Sequence, residues 1–293
     1  MMYQALKLLT ELSEQEKNLW DTKIKSLRKQ YIPSPESFIQ EAINSLDVSK
    51  NTVFWKQNPS KFISELREAS WQEYLVAELH FHKATLEHLF SDISYANSLL
   101  ANAIAKHLSS EGSPDFNKIA TIVSETAGYL TPYIYHLCLS TTNSRRSRAG
   151  KTFESIISYM IREIYQYPME TQATLGHDFY KESKLGKIVD GIIPSKRAFE
   201  QNRQNCIFLT LKTSLRERWQ EVAEEMVRTK IPSVYLLTLD DKLTHSNLQK
   251  MSGQNMTLIV PYEVQQRFEQ CGNVKSYEEF FNKTIPIQLQ HFD

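Results

Sequence analysis

A mixed α/β domain behind a strand-poor helical region is the architecture this sequence predicts. Three observations carry it. Before residue 110 the apolar residues recur at three- and four-residue spacing with no β-rich run. After it, short β-rich runs appear at 187–193, 206–212, 234–239 and 256–260. Between two of those runs, Arg216 to Arg228 is amphipathic, with Trp219, Val222, Ala223 and Met226 on one face, and strands alternating with helices argue for a mixed sheet. Ser109 to Pro114 reads as a linker. The domains expected are therefore residues 1–112, all helical, and 113–293, α/β.

The helices follow from local signals. Ser13 and Glu16 have capping-box spacing ahead of Trp20, Ile24, Leu27 and Tyr31, which share a face. Pro33 and Pro35 end that helix, and a second is expected from Pro35 through Leu46. Pro59 to Leu89 and Ala96 to Leu108 continue the helical pattern, and Lys118 to Leu139 repeats it with an interruption at Gly128 and Pro132. The polar, basic stretch from Thr141 to Thr152 is expected to open a helix running from Phe153 to Tyr165 and ended by Pro168. Ser276 to Asp293, with Tyr277, Phe280, Phe281 and Ile285, is an apolar-faced segment suited to packing on a partner subunit.

Composition narrows the function. Hydrophobic residues are 41% of the chain, with 14 Phe, 14 Tyr and 4 Trp, enough for a packed core. Charge is balanced, 34 basic against 34 acidic residues, which argues against a protein that coats nucleic acid by global charge; any DNA surface is a local patch. Cys138, Cys206 and Cys271 are widely spaced and form no CxxC pair, so a reducing cytoplasm is expected rather than a disulfide framework. The N-terminal residues contain no apolar run of signal-peptide length and no 18-residue apolar stretch occurs, so a soluble intracellular protein with no membrane partner is expected.

Two constellations have bland readings. Gly150-Lys151-Thr152 resembles the end of a phosphate-binding loop, but Arg145 stands where such a loop needs its first glycine. No nucleotide cofactor is expected; a DNA phosphate is the better anion, with Arg145, Arg146, Arg148 and Lys151 as donors. Glu78, His80, His82 and His88 could suggest a metal site, yet His80 and His82 point to opposite sides of a helix, and a helix surface is the plainer reading.

A third constellation runs from Asp190 to Glu225. Asp190 lies among apolar neighbours on one expected strand, and Lys212 ends another, within Thr210-Leu211-Lys212. Carboxylates bind hard divalent cations, and a lysine beside them steadies a phosphate. Glu225 is seven residues beyond Arg218, two helical turns, so both share a face. Between them stands Arg216-Glu217-Arg218: arginine suits guanine edges, and glutamate accepts from cytosine N4. Glu217 has an alternative, since Ser214 to Glu217 fits a capping box. The two arginines oppose the helix dipole at an N-terminus, which favours a role outside the helix.

These residues resemble the CCGG family of type II restriction endonucleases, whose variant PD-(D/E)xK centre has Asp, then Ser/Thr-x-Lys, with the last acid moved onto the following helix. Asp190, Thr210-Leu211-Lys212 and Glu225 match in that order, and Glu154, within Ser147 to Glu154, matches a further acid of the EcoRII-like members. Arg216-Glu217-Arg218 matches the specificity element. The resemblance covers roughly residues 140 to 230; Val189 stands where the consensus has proline, and the first 110 residues match nothing in it.

The resemblance implies a restriction-endonuclease-like PD-(D/E)xK catalytic domain. It implies Mg²⁺ held by Asp190, Glu225 and Glu154, with Lys212 on the scissile phosphate, and a product with a 5′-phosphate and a 3′-hydroxyl. It implies base recognition by Arg216, Glu217 and Arg218, with Asn143 reaching the minor groove. The partner implied is double-stranded DNA, bound by a homodimer or larger assembly and cut ahead of the first cytosine of a palindromic CCGG core, with or without outer A/T pairs. Interrupted CCNGG or CCWGG sites stay open, as do a sequence-independent repair nuclease of the same fold and a non-catalytic helical interaction protein.

Overall fold

The computed structural model describes residues 11–108, 116–183, 185 and 188–292. The linker-like Ser109 to Pro114 lies outside them. The helices here are α1 (Glu14–Tyr31), α2 (Pro35–Ser45), α3 (Thr52–Gln57), α4 (Pro59–Asp92), α5 (Ser94–Leu108), α6 (Phe116–Tyr129) and α7 (Thr131–Tyr159), and all but the short α3 correspond to helices expected from apolar spacing. Ser13 and Glu16 form the capping box that starts α1.

One expectation about α7 is overturned. The basic stretch does not open a helix; Thr141 to Thr152 lies in the middle of α7, which continues as a π-helical turn, Met160–Ile164. Thr, Asn, Ser and Gly are weak helix formers, but buried residues, Leu137 before the stretch, Thr141 at its start and Phe153 and Ile156 after it, hold it in register, and packing outweighs propensity. Its backbone N–H groups are therefore inside a helix and not an anion-binding helix start.

Six strands form one sheet in the order β1 (Glu170–Thr171), β2 (Gly191–Ile193), β3 (Ile207–Lys212), β4 (Val234–Thr238), β5 (Met256–Val260) and β6 (Val274–Ser276). The β1–β2 and β2–β3 pairs are antiparallel, and β3 through β6 are parallel. Helices α8 (Gln172–Glu182), α9 (Lys196–Asn202), α10 (Arg218–Thr229), α11 (His245–Ser252) and α12 (Tyr262–Gln266) connect or flank the strands. The chain ends with α13 (Tyr277–Glu279), a π-helical turn at Phe280–Thr284 and α14 (Ile285–Leu289).

Side chains alternate across the sheet, as strand geometry requires. Ile193, Ile207, Leu209, Leu237 and Ile259 enter one core, with Phe62, Ile63, Leu66, Phe153, Ile156 and Ile157. Ile192, Phe208, Leu236 and Leu258 enter the other, with Trp219, Val222, Met226, Leu248 and Met251. Burial on both faces explains why the strands read as continuous apolar runs. Tyr277, Phe280, Phe281 and Ile285 are buried in the first of these cores, so the C-terminal segment packs within its own chain and is not a face awaiting a partner.

The chain divides into two compact units, residues 1–34 with 72–147, and residues 35–71 with 148–293. This differs from a single cut near residue 112, because the chain passes between the units three times, between α1 and α2, within α4 and within α7. The first unit is helical throughout its described residues; the second holds the sheet. Among the described residues no helix is long and apolar enough to cross a membrane.

Candidate active site and reading turn

Asp190 stands immediately before β2 and is fixed twice to β3. Its N–H donates to the Leu209 carbonyl at 2.8 Å, and its Oδ2 accepts from the Leu211 N–H at 2.7 Å. Gly191 pairs with Leu209, and a Cβ there would lie 3.2 Å from Met169 Sδ. Thr210 is fully buried, and its hydroxyl donates to the Ile188 carbonyl at 2.7 Å. The Thr of Thr-Leu-Lys thus clamps the Asp190 segment to β3.

Asp190 and Glu154 line one cavity of about 560 Å³, together with Ser155, Thr171, Gln172, His177 and Leu211. Burial pushes the Asp190 carboxyl up to about 6; the charge of Glu154 acts in the same direction, while Lys212 and the Leu211 N–H oppose it. Glu154 lines the cavity yet keeps exposed surface; partial burial of its carboxyl raises its pKa against the pull of Lys212 and Lys151. Lys212 at the end of β3 is thus the cation that acts on both carboxylates.

Glu225 turns elsewhere. It lies on α10, paired with Arg228, whose Nε donates to its Oε2 at 2.8 Å. It is not among the residues lining the cavity, and among the described residues no three His, Cys, Asp or Glu side chains converge as metal ligands. Asp190, Glu154 and Lys212 are brought together; Glu225 is not.

Arg216, Glu217 and Arg218 are all exposed, four to six residues beyond Lys212. The Ser214–Glu217 capping box does not form. Glu217 itself occupies the N-cap of α10, with φ −82° and no side-chain cap, because Arg216 has φ +34° and the Arg218 N–H closes a turn onto the Leu215 carbonyl at 2.6 Å. A positive φ is uncommon for a side chain this large. Leu215 is buried beneath the turn and anchors it.

Asn143 and the basic residues of α7 divide between the units. Asn143, Arg145 and Arg146 belong to the first, Arg148 and Lys151 to the second. Arg145 is committed: its Nε donates to Glu78 Oε1 at 2.9 Å and Oε2 at 3.1 Å, and Tyr74 donates to the same carboxylate at 2.5 Å. Glu78 is buried, His82 pairs with Thr141 at 3.0 Å, and His88 with Asp92 at 3.0 Å. Tyr74, Glu78 and Thr141 are buried within the helical unit, whereas Arg145, His88 and Asp92 reach its surface.

Residues 119–280 match the family described as EcoRII C terminal. The type II restriction enzyme SsoII of Shigella sonnei is 30% identical over 268 residues, 91% of this chain and 81% of that enzyme. This chain belongs to the EcoRII C-terminal family of type II restriction enzymes. EcoRII of Escherichia coli itself is 26% identical over 138 residues, 46% of this chain and 32% of that enzyme. Among solved structures, metal-depleted Ecl18kI in complex with uncleaved, modified DNA superposes with a TM-score of 0.77 at 27% identity, covering 97% of this chain and 87% of that one. A PspGI–substrate DNA complex has a TM-score of 0.61 at 18% identity, covering 89% and 95%, and shares the fold. The restriction-endonuclease-like fold expected from the sequence is present. The likeness to SsoII and Ecl18kI also takes in the helical N-terminal residues, which no motif explained.

Sequence motifs did not disclose Ser155, Thr171, Gln172 and His177 as cavity residues. Their only local sign is the break at Gly176, with φ +80°, inside α8. The cavity forms only when β1 and α8 fold beside α7.

Proposed function

We propose that this type II restriction enzyme cuts both strands of double-stranded DNA at a palindrome whose half-sites present CC and GG edges, using a divalent cation, Mg²⁺ by preference. The observation that supports it is a set of three features: the Asp190–Glu154 carboxylate pair at one cavity, Lys212 at the end of β3, and the exposed Arg216-Glu217-Arg218 turn that follows that strand.

The donor set fits a divalent cation. Two carboxylates face one cavity, and burial together with like charge disfavours ionised Asp190, a cost that an added cation removes. Asp190 and Glu154 would hold it, with Glu225 as the further acid. When bound, a divalent cation supplies Lewis acidity and lowers the pKa of water at the site. Lys212 contacts the phosphodiester and offsets the negative charge that grows in the transition state. Water oxygen attacks phosphorus, the bond from phosphorus to the 3′ oxygen breaks and that oxygen takes up a proton, leaving a 5′-phosphate and a 3′-hydroxyl.

Arg216 and Arg218 would each donate to a guanine O6/N7 edge and Glu217 would accept from cytosine N4, each good pair giving about 1–3 kcal/mol of discrimination. The failed Ser214–Glu217 capping box supports this for Glu217. Arg146, Arg148 and Lys151 are the phosphate donors proposed along α7, Arg145 being held by Glu78, and Asn143 is the minor-groove candidate. One chain carries one reading turn and one carboxylate pair, so a palindrome calls for a homodimer or larger assembly. The site of action proposed is a prokaryotic cytoplasm.

Digestion of a sequenced plasmid with Mg²⁺ tests this. Discrete fragments with 5′-phosphate ends ahead of the first cytosine of CCGG are expected. Ends mapping to CCNGG or CCWGG would keep the half-site reading and replace the contiguous core. A smear, or no cleavage, would refute site-specific cutting.

A further inference from the structure

Lys212 on β3 pairs in register with Thr238 on β4, so the strand exits that carry the reading turn and residues 239–244 lie side by side. Across that gap Asp240 Oδ2 accepts the Leu215 N–H at 2.8 Å. Its other oxygen accepts the Lys242 N–H at 2.9 Å, and its own N–H donates to Thr238 Oγ1 at 3.1 Å. Thr238 is fully buried, and its carbonyl accepts the hydroxyl of buried Tyr277 at 2.8 Å. A continuous hydrogen-bonded chain therefore runs from the core, through Asp240, to the residue just before Arg216.

That residue is where the backbone needs support. Arg216 holds φ +34°, a region costly for a long side chain that persists only where surroundings over-determine it. On one side Leu215 is buried; on the other the Arg218 N–H closes onto the Leu215 carbonyl. The remaining constraint on Leu215 is the bond from its N–H to Asp240, and a carboxylate acceptor makes it a strong one.

We infer that Asp240 is a positioning residue for base recognition: by holding the Leu215 N–H it fixes the turn that points Arg216 and Arg218 at the DNA. The inference rests on the reading of Arg216-Glu217-Arg218 as the base-contacting element. Asp240 touches no base, so its loss lowers discrimination between sites and leaves general attraction to DNA unchanged.

The test compares Asp240→Ala, Asp240→Asn and Arg216→Ala in the full-length enzyme. The probes are a duplex bearing the mapped cleavage site and one of equal length with that site scrambled, at fixed salt and without divalent cation. Asp240→Ala should reduce the cognate-to-scrambled affinity ratio by about tenfold or more, the equivalent of one hydrogen bond to a charged group, with scrambled binding unchanged. Asp240→Asn keeps an acceptor oxygen and should recover much of that ratio. Melting curves establish that both variants are folded; if Asp240→Ala is not, Asp240→Ser, whose shorter side chain places no acceptor at the Leu215 N–H, takes its place, a ratio below wild type with unchanged scrambled binding supporting the role and a wild-type ratio opposing it. Should Arg216→Ala lose discrimination while folded Asp240→Ala keeps it, the positioning role is wrong and the reader stands. Should Arg216→Ala itself keep discrimination, the reader assignment fails first.

Discussion

Asp190 and Glu154 face one cavity from two different elements, the segment before β2 and helix α7, and Glu154 adds to the burial that pushes the Asp190 carboxyl up to about 6. Folding thus assembles two acids at a place that favours their neutral forms. Such a site is poised to take up positive charge.

The stability consequence has a definite sign. Asp190 is raised from an ordinary 3.8 to about 6, so the folded chain keeps a proton there that the unfolded chain has lost. The associated stability is complete below about pH 3.8 and is lost as pH rises through about 6, up to about 3 kcal/mol. Asp190→Asn should therefore raise the melting temperature at pH 7.5 in cation-free buffer and leave it nearly unchanged at pH 4. Equal shifts at both pH values would contradict the buried-charge account.

Cation binding should follow the same group. A carboxylate must lose its proton to act as a ligand, so Mg²⁺ or Mn²⁺ should bind about fourfold more weakly at pH 5.5 than at pH 7.5 if Asp190 alone titrates. The raised pKa of Glu154 works in the same direction. Isothermal titration at the two pH values measures it, and pH-independent affinity would place the cation elsewhere.

Lys212 acts on both carboxylates and belongs to the chemistry in this scheme. Lys212→Ala should lower the cleavage rate by at least about a hundredfold while site-specific binding in gel shifts stays within about threefold. Cleavage retained in this variant would remove Lys212 from the centre.

Glu225, the further acid of the proposed centre, is paired with Arg228. Glu225→Gln should reduce cleavage at limiting Mg²⁺ more than at saturating Mg²⁺, whereas Arg228→Ala should preserve it. An unchanged Mg²⁺ dependence in Glu225→Gln would confine Glu225 to the α10 surface.

In the helical unit, Arg145→Ala leaves Glu78 buried without its guanidinium partner. Burial raises the Glu78 pKa, and the Arg145 and Tyr74 hydrogen bonds together outweigh it. Glu78 is buried while Arg145 is half exposed and Tyr74 remains, so removing the arginine costs on the order of 1–2 kcal/mol, read as a lower urea midpoint. The double variant Glu78→Leu with Arg145→Leu should recover a large part of it; if it does not, the pair acts through more than its charge.

Much of this protein was legible in its sequence because the signals are local. Apolar spacing, Pro33, and the Ser13–Glu16 box set α1, and short, nearly continuous apolar runs marked β3, β4 and β5. Asp190 and Lys212 stood out because single charges among strand residues are conspicuous. Strands β1 and β6 were missed, since two or three residues are too few to show a period of two.

What tertiary structure alone decided is where distant residues meet. Arg145 meets Glu78 across 67 residues and Leu215 meets Asp240 across 25, and neither pair has a local signature. Packing on both flanks carried α7 through a stretch whose composition argued for a loop, and the positive φ of Arg216 replaced the Ser214–Glu217 cap that spacing allowed. Propensity and capping act over one helical turn, whereas burial and hydrogen bonding between strand exits act across the whole sheet. The residues proposed to cut and to read were therefore visible in order, while their geometry was set by contacts between segments far apart in the chain.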